Sequence, residues 1–251
     1  MTEVLTERHA QTLLVRLDRP HKHNALTQAM YLTLAQVLRD AQQDDAVCAI
    51  VITGSQTCFT AGNDLRDFLQ SPPDRLDAPA FLFMAAVMNL SKPLIAAVCG
   101  PAIGIGTTLL LHCDGVYITR DATLSVPFAK LGLTPEFGAS LLLPRQVGDQ
   151  MAAQLLLCGR TLNGTEAVEY RLANRVFDDG EHCLQHALQQ AAQLAKLPQP
   201  GLRASKRLLR DAIPGLQAVF VNECEQFIER LMSAEARAAI QALVGPDKAT
   251  R

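Results

Sequence analysis

Phe59-Thr60-Ala61-Gly62-Asn63-Asp64-Leu65 and Gly100-Pro101-Ala102-Ile103-Gly104-Ile105-Gly106 read as two tight turns, and a lone Pro135-Glu136 follows downstream. A short apolar run precedes each turn, Ala46 to Thr53 before the first and Leu94 to Cys99 before the second. Near-continuous apolar runs of this length are what parallel strands covered on both faces require. The flanking glycines let another group come close to the backbone. The N–H of Ile105 stands where a helix begins, and first-turn N–H groups lack intrahelical partners and carry partial positive charge. Asn63 offers a second bare N–H. Two such donors aimed at one point form an oxyanion hole, and one carboxylate beside it could move a proton. Plain strand-to-helix turns fit the same residues. A dinucleotide fingerprint fits less well, because Gly104-Ile105-Gly106 lacks the third glycine.

Outward from these turns, strands alternate with helices. Leu13 to Leu17 reads as a strand that ends at Asp18-Arg19-Pro20. Thr27 can cap a helix running to about Asp44, with Met30, Leu34, Val37 and Leu38 on one face. After Gly54 comes a polar loop with Pro72-Pro73, and Pro79 to Leu90 has a helical pattern. Thr107 to Cys113 reads as a buried helix and Gly115 to Thr119 as a strand. Val147 to Cys158 and Gly164 to Arg171 read as helices, and Asn174 to Phe177 as a strand. From Glu181 the chain is Gln-, Ala- and Leu-rich with helical periodicity nearly to Leu243, broken at Pro198, Pro200-Gly201 and Pro214-Gly215. This order predicts an α/β core over 1–194 and a helical region over 195–251. No internal sequence repeat stands out.

Composition narrows the function classes. In 251 residues, 49% are hydrophobic and 19% charged, enough for one large buried core with an appendage. The formal net charge of -2 gives no bulk case for nucleic acid or an anionic membrane. Seven cysteines, an odd number with no C-x-x-C pair, read as free thiols in a reducing compartment. The first nine residues carry early acids and no long apolar stretch, unlike a signal peptide. No apolar run is long enough to span a membrane, and the ending Ala249-Thr250-Arg251 is not a peroxisomal address. The expectation is a cytoplasmic protein.

The motifs together resemble the enoyl-CoA hydratase/isomerase (crotonase) family. The resemblance rests on Leu17-Asp18-Arg19-Pro20-His21-Lys22-His23-Asn24-Ala25-Leu26, on Ile52-Thr53-Gly54 and on the Phe59–Leu65 turn. It continues through Lys92-Pro93-Leu94-Ile95-Ala96-Ala97-Val98-Cys99-Gly100, Cys113-Asp114, Leu157-Cys158-Gly159 and Glu166-Ala167. Their order and spacing cover most of the first 180 residues. The resemblance implies a spiral of β-β-α units with a C-terminal helical trimerisation region, giving a homotrimer or homohexamer. It also implies an acyl-CoA thioester substrate and enolate chemistry, with oxyanion donors on Asn63 and Ile105. CoA arrives with the substrate, and no further cofactor and no metal is expected.

The acids discriminate within the family. Hydratases resemble one another in carrying two glutamates, at positions that align here with Thr108 and Phe128. Neither residue does acid–base work. Glu136 instead occupies the place of the single base in peroxisomal-type delta-3,delta-2-enoyl-CoA isomerases, which the chain resembles most closely. A carboxylate among Phe128, Leu133 and Phe137 would be partly desolvated, with a raised pKa and greater strength as a base. Without the family context, Pro135-Glu136 also reads as an exposed turn. Loose assignment to the hydratases, another acyl-CoA reaction, or non-catalytic acyl-CoA binding are the rival readings.

Other residues carry smaller expectations. Ala61, Gly62, Gly104, Thr108, Phe128 and Leu133 are expected to border substrate. Lys22 is placed where the family's basic residue meets phosphate or adenine, and a solvated surface lysine fits equally. Asp64 lies at the site in sequence, and a structural hydrogen-bond acceptor fits it better. His182, Cys183 and His186 do not make a convincing metal set, and His112-Cys113-Asp114 reads as core packing. Lys206, Arg207 and Arg210 form a basic helical patch. Gly245-Pro246-Asp247-Lys248 departs from the family's common ending. The loop from Leu65 to Asp77 is expected to border an acyl tunnel.

Overall fold

The computed structural model describes residues 3–245. The expectations on Pro246-Asp247-Lys248 and on the chain end lie outside the described residues. The chain opens with a hairpin of β1 (Val4–His9) and β2 (Thr12–Leu17), then α1 (Gln28–Gln43) and β3 (Ala49–Thr53). Next come α2 (Leu65–Gln70), α3 (Pro79–Met88), β4 (Leu94–Val98), β5 (Pro101–Ile103) and α4 (Ile105–Thr108). Strands β6 (Gly115–Thr119) and β7 (Thr123–Ser125) precede α5 (Ala139–Val147) and α6 (Asp149–Leu156). Then follow β8 (Leu162–Asn163), α7 (Gly164–Glu169) and β9 (Arg175–Phe177). Helices α8 (Gly180–Ala195), α9 (Gln199–Asp211), α10 (Leu216–Met232) and α11 (Ala234–Val244) complete the described chain.

Six strands form one sheet in the order β1-β2-β3-β4-β6-β9, parallel except for the β1–β2 pair. A second sheet holds β5, β7 and β8. The chain passes from the long sheet to the short one twice, β4 to β5 and β6 to β7, and a bridge from Thr60 to Ala102 adds one residue of a third pass. These repeated steps are the turns of a spiral. The apolar runs have an inner logic of period two. Ala49 and Val51 of β3, with Ile95 and Ala97 of β4, face Cys183, Ala187 and Ala191 of α8. Ile50, Ile52, Ala96 and Val98 face the main core with Leu34 and Leu38 of α1 and Met84 of α3. Each fully buried Val, Leu, Ile or Met side chain among these contributes roughly 1.5–3 kcal/mol, and each alanine less.

Local signals explain most element boundaries. Thr27 accepts from the Met30 N–H and caps α1, a contribution of about 1 kcal/mol. Asn163 and Glu166 close a reciprocal capping box on α7. Several expectations are corrected. Leu65–Gln70 is a helix capped by Asp64 and not a loop. The helix expected over Thr107 to Cys113 begins earlier, at Ile105, and tightens into a 3₁₀ turn over Leu109–His112. Gly148, at φ 81°, divides α5 from α6. Pro200-Gly201 lies in the first turn of α9 rather than interrupting it, because that turn has no backbone donors to lose to proline. The basic patch of α9 is turned partly inward: Lys206 is 5% exposed and pairs with Asp114 at 2.5 Å. Among the described residues, no helix is long and apolar enough to cross a membrane.

Candidate active site

A cleft of about 530 Å³ opens between the two turns, α2 and α11. Ala61, Gly62, Asn63, Gly104, Phe128 and Leu133 line it, so six of the expected site residues meet there. A larger cavity of about 630 Å³ lies beside the α9–α10 turn. Its buried cations are already engaged: Lys206 holds Asp114, and Arg210 donates to the carbonyls of Val87, Met88 and His112. The smaller cleft, which has both candidate donor turns in its wall, is therefore the site.

The first turn is held by side chains from the preceding motif. Asn24 is fully buried and donates through Nδ2 to the carbonyls of Cys58 (2.9 Å) and Phe59 (3.3 Å). Its Oδ1 accepts from the Arg19 N–H at 2.8 Å, and its own carbonyl accepts from Thr60 Oγ1 at 2.6 Å. Asn63 bridges Leu26 in parallel. In that bridge Leu26 N–H donates to the Gly62 carbonyl and Asp64 N–H to the Leu26 carbonyl. The ladder thus engages groups on either side of Asn63 and leaves the Asn63 N–H pointing the other way. The Asn63 side chain accepts from the Tyr31 hydroxyl.

The second turn places Gly104 at φ 56°, ψ -116°, a conformation suited to glycine, immediately before α4. The Thr107 and Thr108 N–H groups fold back onto the Gly104 carbonyl. Ile105 is the first residue of α4, so its N–H has no intrahelical acceptor. Its side chain is buried. Ile105 does not line the cleft with its side chain; the backbone of the adjoining Gly104 does.

Glu136 is 1% exposed, and its Oε1 has no hydrogen-bond partner. It is not an exposed turn residue. It does not line the cleft, but it is close enough to Tyr31, whose hydroxyl reaches Asn63, for its charge to bear on the phenol. Burial first, then the nearby Glu223 carboxylate, pushes its pKa up to about 8. The same burial, with Glu136 and Asp67 adding, holds the Tyr31 hydroxyl protonated. An unpartnered buried carboxyl of this kind is a good proton acceptor once ionised. Its linkage has a definite sign. The folded pKa is above the ordinary value of 4.5, so its stabilising share is complete below about pH 4.5 and is lost as pH rises to about 8. Glu136→Gln is expected to melt higher than wild type, by an amount that grows between those values and then levels. The difference should reach on the order of a few kcal/mol, and urea unfolding at pH 5 and pH 8.5 checks it.

The remaining expected residues lie outside the cleft lining. Thr108 is fully buried. Asp64 caps α2 and pairs with Arg19 at 2.7 Å. Burial opposes its charge, but Arg19 and two backbone N–H groups hold its carboxyl below the usual range. Lys22 is exposed on the Pro20–Lys22 turn, one residue before His23, whose carbonyl accepts from Ala61. His182 pairs with Asp179, Cys183 is in the α8–sheet core, and His186 sits edge-on to Tyr117, so these three share no centre.

Residue reading missed several participants. Phe68, Phe227, Ile240 and Leu243 complete the apolar wall, with α11 folded over the cleft and Arg66 bonded to the Val244 carbonyl. Tyr31 and Glu223 were also missed. Both had a faint signal, as polar groups at apolar-stripe spacing: Tyr31 with Leu34 and Leu38, and Glu223 with Phe220, Phe227 and Leu231.

A mostly parallel six-stranded sheet, a spiral of short strands and two turns meeting at one cleft define a crotonase fold. A model of the enoyl-CoA hydratase/isomerase family matches residues 7–245, and the chain belongs to that family. It is 33% identical over 234 residues to enoyl-CoA delta isomerase 2 of Homo sapiens, covering 90% of this chain and 59% of that one. The chain thus spans about three-fifths of that isomerase's length. It is also 33% identical over 229 residues to 2,3-dehydroadipyl-CoA hydratase of Escherichia coli, covering 90% and 89%. Among solved structures, Pseudomonas aeruginosa OdaA superposes with a TM-score of 0.95 and 46% identity, covering 98% of this chain and all of that one.

Proposed function

We infer that this protein moves the double bond of a 3-enoyl-CoA to position 2, with Glu136 as the single proton shuttle. The observation that carries the reading is one buried carboxyl with an unpartnered oxygen, close to the Tyr31 that bonds Asn63 in the cleft wall, where two turns present N–H groups without backbone partners. Thr108 and Phe128 stand where the hydratase glutamates align, so neither of those positions supplies an acid to activate water.

In this reading ionised Glu136 takes a proton from C2. The C2–H pair flows toward the thioester oxygen and gives a dienolate. The Asn63 and Ile105 N–H groups stabilise the developing negative charge, each contributing about 3–4 kcal/mol. Glu136 then returns the proton to C4, and the C3–C4 double bond becomes C2–C3. Atoms balance without metal, redox partner or added water, and CoA enters as part of the thioester. Ala61, Gly62 and Gly104 border the pantetheine and thioester, and the exposed Lys22 meets phosphate or adenine. The similarity to a hydratase along nearly its full length favours hydration as the second reading.

The test follows a 3-enoyl-CoA in D2O by NMR. Migration to the 2-enoyl product, with exchange at C2 and C4, supports the shuttle. Conversion of a 2-enoyl-CoA to a 3-hydroxy product faster than migration favours the hydratase reading. Binding with neither reaction favours a non-catalytic role. The family expectation of a trimer or hexamer has one support in this chain: Leu208 and Leu209 of α9 are 70% and 74% exposed. Light scattering is expected to give three or six chains, and a monomer at micromolar concentration would remove that expectation.

A further inference from the structure

The segment after Glu136 is held in an unusual shape by two buried groups. Phe137 has φ 63° and Gly138 has φ 72°, two successive residues in the left-handed region. For a bulky residue such as Phe137 this conformation persists only where the surroundings enforce it. The peptide joining them is gripped at both ends. The Phe137 carbonyl accepts from His112 Nε2 at 2.7 Å, and the Gly138 N–H donates to Glu223 Oε2 at 2.5 Å. A carbonyl only accepts, so that His112 nitrogen carries the hydrogen. Burial holds His112 neutral, with a pKa of about 4, and its ring stacks on Phe137 at 4.0 Å.

Glu223 comes from α10, far along the chain, and is 5% exposed. Besides Gly138 it accepts from the Ser140 N–H at 2.8 Å and from Ser140 Oγ at 2.5 Å. It thus caps the first turn of α5, the helix that Glu136 leads into. A buried carboxylate is tolerable there because donors surround it. Glu136, a short distance away, has no such donor for Oε1. Two neighbouring buried carboxyls with such unequal partners divide their roles: the well-bonded one holds the charge and the bare one takes the proton.

We propose that Glu223 is the positioning residue for the Glu136 base, fixing the Phe137–Gly138 peptide and the start of α5 that directly follow it. The proposal rests on the reading of Glu136 as the proton shuttle. Without the clamp, Phe137 is free to leave φ 63° and swing Glu136 away from the thioester. Displacements of about 1 Å lower rates on the order of 10²-fold. The groups facing Glu136 are Glu223 and Cys224 of α10, Tyr31 of α1 and, through the Phe137 carbonyl, His112. Cys224 is a thiol with a pKa of about 12, Tyr31 is a protonated phenol, and His112 is neutral. Glu223 is therefore the one neighbour among these able to repel the Glu136 charge. Burial raises the Glu223 pKa too, opposed by Ser140 and the backbone donors.

The experiment uses the full chain labelled with 13C at the glutamate carboxyls, with the Glu136 resonance assigned by its absence in Glu136→Gln. Glu223→Gln keeps the volume and removes the charge. The Glu136 midpoint is expected to fall by about one pH unit or more from near 8. The acid limb of kcat/KM should move down with it, and kcat should drop on the order of 10–10²-fold with KM within a few-fold. A cap that served stability alone would leave the limb in place. Ser140→Ala removes one donor and keeps the charge, so it should move both readouts in the same direction by less. It carries the test if Glu223→Gln does not fold. An unmoved midpoint with unchanged kcat overturns the proposal. If the wild type moves no double bond while the midpoint still falls in Glu223→Gln, the shuttle reading fails and the clamp stands. If migration proceeds equally in both, with equal midpoints, the clamp fails and the shuttle stands.

Discussion

Glu136→Gln is expected to lower double-bond migration by about 10²–10⁴-fold, the usual contribution of a positioned acid–base group, while acyl-CoA still binds. The substitution is nearly isosteric, and Glu136 Oε1 has no hydrogen bond to lose. What disappears is a proton acceptor, not a packing contact. Exchange of C2 protons into D2O should fall with migration, because both pass through the same dienolate. The wild-type profile should show why: only the ionised carboxyl accepts a proton, and its pKa lies at about 8. The kcat/KM of the free enzyme should therefore rise about tenfold per pH unit up to that value and flatten above it. Unchanged migration in the variant, or an acid limb near pH 4.5, removes Glu136 from the chemistry. The higher melting temperature expected of the same variant would add a trade of stability for function at one side chain.

Gly62→Ala is expected to reduce kcat by about 10²–10³-fold, the loss associated with one oxyanion donor. Gly62 has φ 87°, and an added Cβ would stand 2.8 Å from the Ile103 carbonyl oxygen. That carbonyl belongs to β5 and cannot easily retreat, since the Ile103 N–H is bonded to the Thr60 carbonyl at 3.0 Å. The Gly62 N–H is held by Thr60 Oγ1 at 3.1 Å and its carbonyl by the Leu26 N–H at 2.8 Å. Relief by rotating the peptide between Gly62 and Asn63 breaks the Leu26 bond and carries the Asn63 N–H with it. Gly104→Ala meets nothing within 4 Å, so it tests backbone strain at the second turn without a clash. Steady-state kinetics with matched acyl-CoA binding checks both variants. Near-wild-type kcat in Gly62→Ala would discard the Asn63 N–H as an oxyanion donor.

Legibility followed burial. Strands β3, β4 and β6 were readable because both faces of each are covered, so nearly every residue in Ala49–Thr53, Leu94–Val98 and Gly115–Thr119 is buried. The start of α1 was readable because Thr27 caps it through its own side chain. Strand β1 was not, since in Val4–His9 only Val4 is well buried and no alternation results. Strands β5, β7 and β8 have two or three residues each, too few for any period. Helix α5 was hidden by Pro144 within it and by a glycine cap at Gly138. In the site, the turn residues Ala61, Gly62, Asn63 and Gly104 were readable from glycine placement and family motif. Phe227, Ile240 and Leu243 were not, because two helices far later in the chain, α10 and α11, cover the cleft only after folding.

By itself the sequence determined the family, the parallel core, the two glycine-bearing turns and the presence of one candidate base where hydratases carry two. Those are local properties: apolar runs, glycines that permit close approach, and the identity of the residues at 108, 128 and 136. Only the tertiary structure decided that Glu136 is sealed from water with an unpartnered oxygen, that Tyr31 reaches Asn63, and that Glu223 grips the turn after the base. The reason is physical. A carboxyl's proton affinity depends on the dielectric and charges around it, and here those come from α1, α10 and the His112 turn, brought to Glu136 by packing across as many as 105 positions of chain.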